Sequence, residues 1–174
     1  MHLTKLIGVT GLVLGLSFSG GVIADNAKAT SDEVMAKVQE AATALKAGDS
    51  ALAEFNTDGK WNPENKWVWK DTYVFVYDCD ADKALAHPTL AVEGKTIMGI
   101  KDKAGKELFV ALCEAGKQEN GGWVSYMWPK KGETDPSQKV SYALQVEGQS
   151  FQVSSGIYSD DADVAKLNAG LTAE

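Results

Sequence analysis

The stretch WVWKDTYVFVYD, residues 67–78, decides the fold, because the spacing of apolar side chains changes there from helical to extended. Within it Tyr73, Phe75 and Tyr77 alternate with Val74 and Val76. Large apolar groups on both sides of an alternating run predict a strand that is covered on two faces. Upstream, Thr30-Ser31-Asp32-Glu33 has the pattern of a capping box, and Val34, Val38, Ala41, Ala42 and Leu45 then form one helical stripe. Gly48 is expected to end that helix, and Asp49 to cap a short second helix through Phe55. The intervening NTDGKWNPENK, residues 56–66, is rich in turn formers and reads as a loop.

Downstream, a turn through Asp78–Lys83 leads into ALAHP, a second short strand stopped by Pro88. KDKAGKELFVALCEAGKQE, residues 101–119, predicts a turn and then a helix with Leu108, Leu112 and Ala115 inward. GWVSYMW, KVSYALQV and SFQVSSGIY follow as three strands whose short, turn-rich connections predict antiparallel hairpins. The tail SDDADVAKLNAGLTAE predicts a terminal helix. Helices first and then a mostly antiparallel sheet of about five strands is an α+β arrangement.

Residues 1–24 have the order of a signal peptide: MHLTK with Lys5, the apolar LIGVTGLVLGLSFSG, then Val22-Ile23-Ala24 before polar Asp25-Asn26. The alternative is an uncleaved anchor; the short apolar run and the lack of a basic stop-transfer cluster favour cleavage and a periplasmic destination. Residues 25–174 then make one domain, large enough for a real core. Without residues 1–24, 16 lysines face 24 acids, a net charge of −8. Such a surface repels nucleic acid and anionic lipid, and no second apolar run is long enough to span a bilayer.

The chain contains no arginine, so a bound anion must be held by Lys, His, hydroxyls or backbone amides. His87 is the only histidine beyond the signal segment, which excludes a multi-histidine metal site and a second catalytic imidazole. No nucleophile elbow, zincin helix or paired carboxylate motif is visible, so no enzymatic activity, metal or cofactor is expected. Cys79 and Cys113 in an exported chain read as a disulfide, against the alternative of two buried thiols. Closing a loop of roughly 35 residues contributes about 3–4 kcal/mol in the chain-entropy model.

In GGWVSYMWPKKG, residues 121–132, alternation puts Val124, Tyr126 and Trp128 on one face, with Trp123, Ser125 and Met127 on the other. These rings either fit a half-buried pleated surface or, with Tyr73 and Tyr77, bring polar handles around a small ligand. His87 is either hydrogen-bonded at a strand end or a ligand donor able to carry charge near neutral pH. Lys139 is either a solvated lysine or the cation that an arginine-free carboxylate site requires.

YVFVYDCDADKALAHP, GKTIMGIKDKAGKELF, GGWVSYMWPKKG and KVSYALQVEGQSFQVSSGIY resemble successive blocks of the single Cache domain of the second type, over residues 31–158. The resemblance implies a long N-terminal helix packed on a PAS-like antiparallel sheet with a ligand pocket on the sheet. Related domains lie outside the cytoplasmic membrane in chemoreceptors and sensor kinases, and often bind pyruvate, lactate, acetate or propionate. By similarity His87, Tyr126, Trp128 and Lys139 are pocket residues, with Trp69 and Tyr77 as weaker members. Tyr142 has the wrong parity relative to Lys139 and is set aside. Two features depart from the family pattern: CDADKA replaces a turn that often carries glycine, and the chain stops at Glu174 without a transmembrane and signalling module. The resemblance therefore implies a sensing domain for a small organic acid that acts through a membrane-bound receptor or sensor kinase. The alternative is a ligand-free scaffold of the same fold for protein contact.

Overall fold

The computed structural model describes residues 27–55, 59–90 and 95–172; the proposed signal segment lies outside them. Helix α1, Ser31–Leu45, begins at the capping box. Thr30 Oγ1 accepts the Glu33 N–H at 3.3 Å, and the Glu33 carboxylate accepts the Thr30 N–H at 3.0 Å. The predicted stripe of Val34, Val38, Ala41, Ala42 and Leu45 is the buried face. Helix α2 is shorter than expected, Asp49–Leu52, and Asp49 does not cap it. Gly48 stands at the N-cap with φ 70°, a left-handed conformation that glycine adopts without steric cost.

The stretch 67–78 is not one strand. It folds as a small hairpin, β1 (Val68–Trp69) against β2 (Thr72–Tyr73), and then as β3 (Phe75–Asp78). The break comes from long-range anchors on the two turn residues. Lys70, at φ 49°, bonds the Glu33 carboxylate at 2.5 Å, and Asp71 Oδ1 accepts the Ala29 N–H at 2.8 Å. Both anchors tie the hairpin tip to the start of α1. The facial alternation nevertheless survives: Val74 and Val76 pack with α1, whereas Tyr73, Phe75 and Tyr77 pack on the opposite side.

Strand β4 (Lys83–Ala86), helix α3 (Leu108–Gly116), strands β5 (Gly122–Pro129), β6 (Pro136–Gln145) and β7 (Phe151–Tyr158), and helix α4 (Val164–Leu171) complete the chain. Leu108 and Leu112 of α3 are buried and Ala115 is half-buried. The main sheet has the order β4-β3-β7-β6-β5, and every neighbouring pair is antiparallel. α1 covers one face of it and α3 the other, giving the α+β architecture expected.

In the turn after β3, Asp82 takes the left-handed position, φ 52°, that a glycine would fill. Its Oδ1 accepts the N–H groups of Ile97 and Met98, both at 2.8 Å, which ties the long β4–α3 connection back to this turn. Asp78 Oδ1 accepts the N–H groups of Asp80 and Ala81. Cys79 and Cys113 are joined as a disulfide that fixes the same turn to α3.

Candidate functional site

Lys139 is the residue that most needs explaining. Alternation along β6 puts Lys139 and Ser141 on the α3 side of the sheet and Val140 and Tyr142 on the α1 side, as parity required. Lys139 is 0% exposed, and its Nζ has no hydrogen-bond partner among the described residues. Aromatic rings surround it: Nζ lies 3.8 Å from the ring centre of Tyr73, 5.2 Å from that of Tyr158 and 5.3 Å from that of Phe75. Ring faces attract a cation but do not replace its hydrogen bonds to water. Burial consequently pulls the ammonium down from 10.5 to about 7, while nearby Asp71 acts in the opposite direction.

His87 follows β4 and is also buried. Its ring lies 5.0 Å from Tyr73, 5.3 Å from Phe75 and 5.7 Å from Trp128, so it belongs to the same cluster. Nδ1 accepts the main-chain N–H groups of Thr89 at 3.2 Å and Leu90 at 3.1 Å, which leaves the proton of the neutral ring on Nε2. Burial, followed by repulsion from Lys139, holds its pKa well below the usual 6.5. Of the two alternatives read from the sequence, the imidazole is therefore the one hydrogen-bonded beyond a strand end, and it is neutral rather than charged.

Tyr126 and Trp128 lie on the same face of β5, 6.4 Å apart between ring centres. The Tyr126 hydroxyl pairs with Ser141 Oγ at 2.9 Å, and burial raises its pKa well above 10. Gly156 makes room for this pair, since a Cβ there would collide with Ser141 Oγ. Tyr77 lies deeper, against Phe109, with its hydroxyl paired to Ser154 Oγ at 2.9 Å. Trp69 is not brought to the cluster: it packs at the edge of the α1 side, with Lys37 Nζ 5.9 Å from its ring centre.

At the centre stands Tyr73, which the alternation offered beside Tyr77 as a polar handle but which the family resemblance did not carry into the site. Tyr73 is fully buried, and burial pushes its hydroxyl up to about 12. That hydroxyl has Thr89, Tyr158 and Trp128 around it and completes a hydrogen bond to none of them. Trp61 meets the Tyr73 ring edge-on at 5.8 Å and also leaves a buried N–H unpaired, while Lys131 Nζ sits 4.5 Å from its ring centre. The shared parity of Tyr73 and Tyr77 was the available signal; for Trp61, in a loop, there was none.

Lys139, Tyr73 and Trp61 thus present unsatisfied donors around one ring, and the neutral His87 adds an Nε2–H to the same cluster. Chemically, such donors are complementary to hydrogen-bond acceptors. Open clefts elsewhere, such as one of about 400 Å³ between α4 and the head of β5, contain no unpaired buried polar atom among the described residues. Among those residues, no group of His, Cys, Asp or Glu is arranged to hold a metal, and no helix is long and apolar enough to cross a membrane.

The comparisons with known proteins agree with this architecture. The methyl-accepting chemotaxis protein McpP of Pseudomonas putida is 29% identical over 92 residues, 52% of this chain and 17% of that protein. The sensor histidine kinase MctS of Rhizobium johnstonii is 31% identical over 107 residues, 60% of this chain and 23% of that protein. The matches thus span about a fifth of the length of these relatives. Among solved structures, a periplasmic sensor domain of a chemotaxis protein superposes with a TM-score of 0.53 at 25% identity, covering 72% of this chain and 87% of that one. A Cache chemosensory domain described for carboxylic acid recognition gives 0.52 at 26% identity, covering 72% and 86%. A methyl-accepting chemotaxis protein from Vibrio parahaemolyticus, at 23% identity and a TM-score of 0.57, shares the fold over 76% of this chain and 90% of its own. Residues 23–169 match the family described as Single Cache domain 2, and the chain belongs to that family of non-catalytic sensor domains.

Proposed function

We propose that this protein is a periplasmic sensing domain for a small carboxylate such as pyruvate, lactate or acetate, and that it acts through a separate membrane-bound receptor or sensor kinase. One observation carries the reading: a fully buried ammonium, Lys139, with no hydrogen-bond partner among the described residues. A carboxylate beside Nζ supplies the missing acceptor and adds to the countercharge of Asp71, in surroundings where such a bond is strong. Tyr73 and neutral His87 offer further donors, and Trp128 screens the pair from water. Tyr126 contributes its hydroxyl once Ser141 releases it or acts as its acceptor. The solved relative described for carboxylic acid recognition supports the ligand class, and the chemoreceptor and kinase relatives, which contain the matching segment in their own chains, support a sensing role. The apolar segment at residues 6–20, followed by Val22-Ile23-Ala24 and then polar Asp25-Asn26, supports export.

A thermal-shift screen of two- to six-carbon acids tests the ligand. A site held at a hundredfold excess over Kd stabilises by about 2.7 kcal/mol. Pyruvate, lactate or acetate is expected to raise the wild-type melting temperature and to leave Lys139→Met unchanged. The second reading, a ligand-free scaffold, is favoured by the three rings that already pack on Nζ. A flat response of the wild type across the series selects it. Membrane pull-downs with and without the active acid test the relay: identical partners in both would sink it.

A further inference from the structure

β5 is the edge strand of the main sheet, and its outer side is not bare. In an antiparallel ladder alternate residues turn their main-chain groups away from the neighbour. On β5 these are Trp123, Ser125 and Met127, and three side chains meet them in succession. Asn168 of α4 makes two bonds to Trp123: Oδ1 accepts its N–H at 2.7 Å, and Nδ2 donates to its carbonyl at 3.1 Å. Lys106 Nζ donates to the Ser125 carbonyl at 2.6 Å. Asp102 Oδ2 accepts the Met127 N–H at 3.0 Å, while its Oδ1 accepts the N–H groups of Ala104 and Lys106. Gly105, at φ 84°, allows the turn between Asp102 and Lys106 to close so tightly.

The residues held in this way alternate with Val124, Tyr126 and Trp128, whose side chains pack into the cluster on the α3 side, the candidate ligand site. Every second residue of this stretch is therefore fixed from behind. We propose that Asp102, Lys106 and Asn168 are positioning residues for the site: they replace a missing sixth strand and hold Tyr126 and Trp128 in place against the cluster around Lys139. This gives the KD-x-x-GK run a role that its sequence did not disclose. It also makes α4 a direct attachment to this strand, reinforced where Asn120 Nδ2 donates to the Leu171 carbonyl at 2.9 Å. The proposal rests on the carboxylate reading only for its binding consequence.

The test uses the full chain and two outward-lying residues, in Lys106→Met, Asn168→Ala and the double variant, with Lys106→Arg as the conservative control. Amide hydrogen exchange, the Trp128 indole resonance and calorimetric titration with pyruvate are the readouts. In the double variant the β5 amides of Val124, Tyr126 and Trp128 are expected to exchange at least tenfold faster relative to those of β7. The indole resonance should shift or broaden, pyruvate affinity should fall at least fivefold, and Lys106→Arg should behave as wild type. Unchanged β5 exchange and an unmoved indole overturn the proposal, as does acceleration spread evenly over all strands, which marks general destabilisation. If pyruvate and its analogues fail to bind wild-type protein, the carboxylate reading falls, and exchange and the indole resonance still decide the clamp.

Discussion

The two faces of the sheet are equally buried and differently built. On the α1 side Val38, Leu45, Val140 and Val153 are each 0% exposed and carry nothing that needs a ligand. The Tyr142 hydroxyl on that side is satisfied, donating to the Asn120 carbonyl at 2.7 Å, and the one buried polar atom left unpaired there among the described residues is the uncharged Trp67 indole N–H. On the α3 side an ammonium, a phenol and an imidazole lie among rings, and two of the three lack a full set of partners. One face therefore contributes stability through apolar area and close packing. The other holds groups whose burial opposes folding until something binds them.

Substitutions on the two faces should move stability in opposite directions. The largest loss is expected for Leu45→Ala, which empties a fully enclosed site and should cost about 2–5 kcal/mol in chemical denaturation while leaving ligand affinity unaltered. On the other face Lys139→Met removes an unpaired charge and keeps much of the volume. It should stabilise the ligand-free protein, by about 1–4 kcal/mol if it behaves like other buried charges replaced by apolar groups, and abolish carboxylate binding. A destabilised Lys139→Met would show that the rings fully compensate the ammonium and would break the contrast.

The contrast sharpens with pH. Unfolded lysine keeps its proton up to about 10.4, whereas folded Lys139 releases it near 7. Between these values the unfolded chain holds more protons, so stability attributable to this residue should rise as pH climbs from 7 towards 10. Carboxylate binding needs the protonated amine, so affinity should fall by up to about tenfold per unit above pH 7 in titration calorimetry, with proton uptake on binding. Lys139→Met should lose the stability slope. The smallest effect is expected at Thr30→Ala, which removes half of the capping box and should cost about 1 kcal/mol without touching the pH profile.

Much of this was legible from residue order because local pattern and tertiary packing agree. The capping box at Thr30 and the alternation in β5, β6 and β7 each needed only neighbouring residues to be read. The break at Lys70 and Asp71 was not legible, because Glu33 and Ala29, some forty residues away, hold that turn. Parity correctly separated Tyr142 from Lys139, but it could not assign Trp69, which belongs to the hairpin rather than the main sheet. His87 lies in the cluster, but its charge was left open, since neutrality follows from burial and from Lys139 rather than from its own neighbours in sequence. The edge clamp on β5 was invisible for a similar reason: Asn168 and Asp102 reach it from separate parts of the chain.

The strand order has a consequence for how the molecule is made. β7 is the last strand synthesised, yet it lies at the centre of the sheet, between β3 and β6. Until Phe151–Tyr158 arrives, the earlier hairpins β3–β4 and β5–β6 have no edge through which to join. A nascent chain halted before residue 151 thus holds two disconnected ribbons, each marginal in water. Assembly of the sheet therefore waits for its final strand.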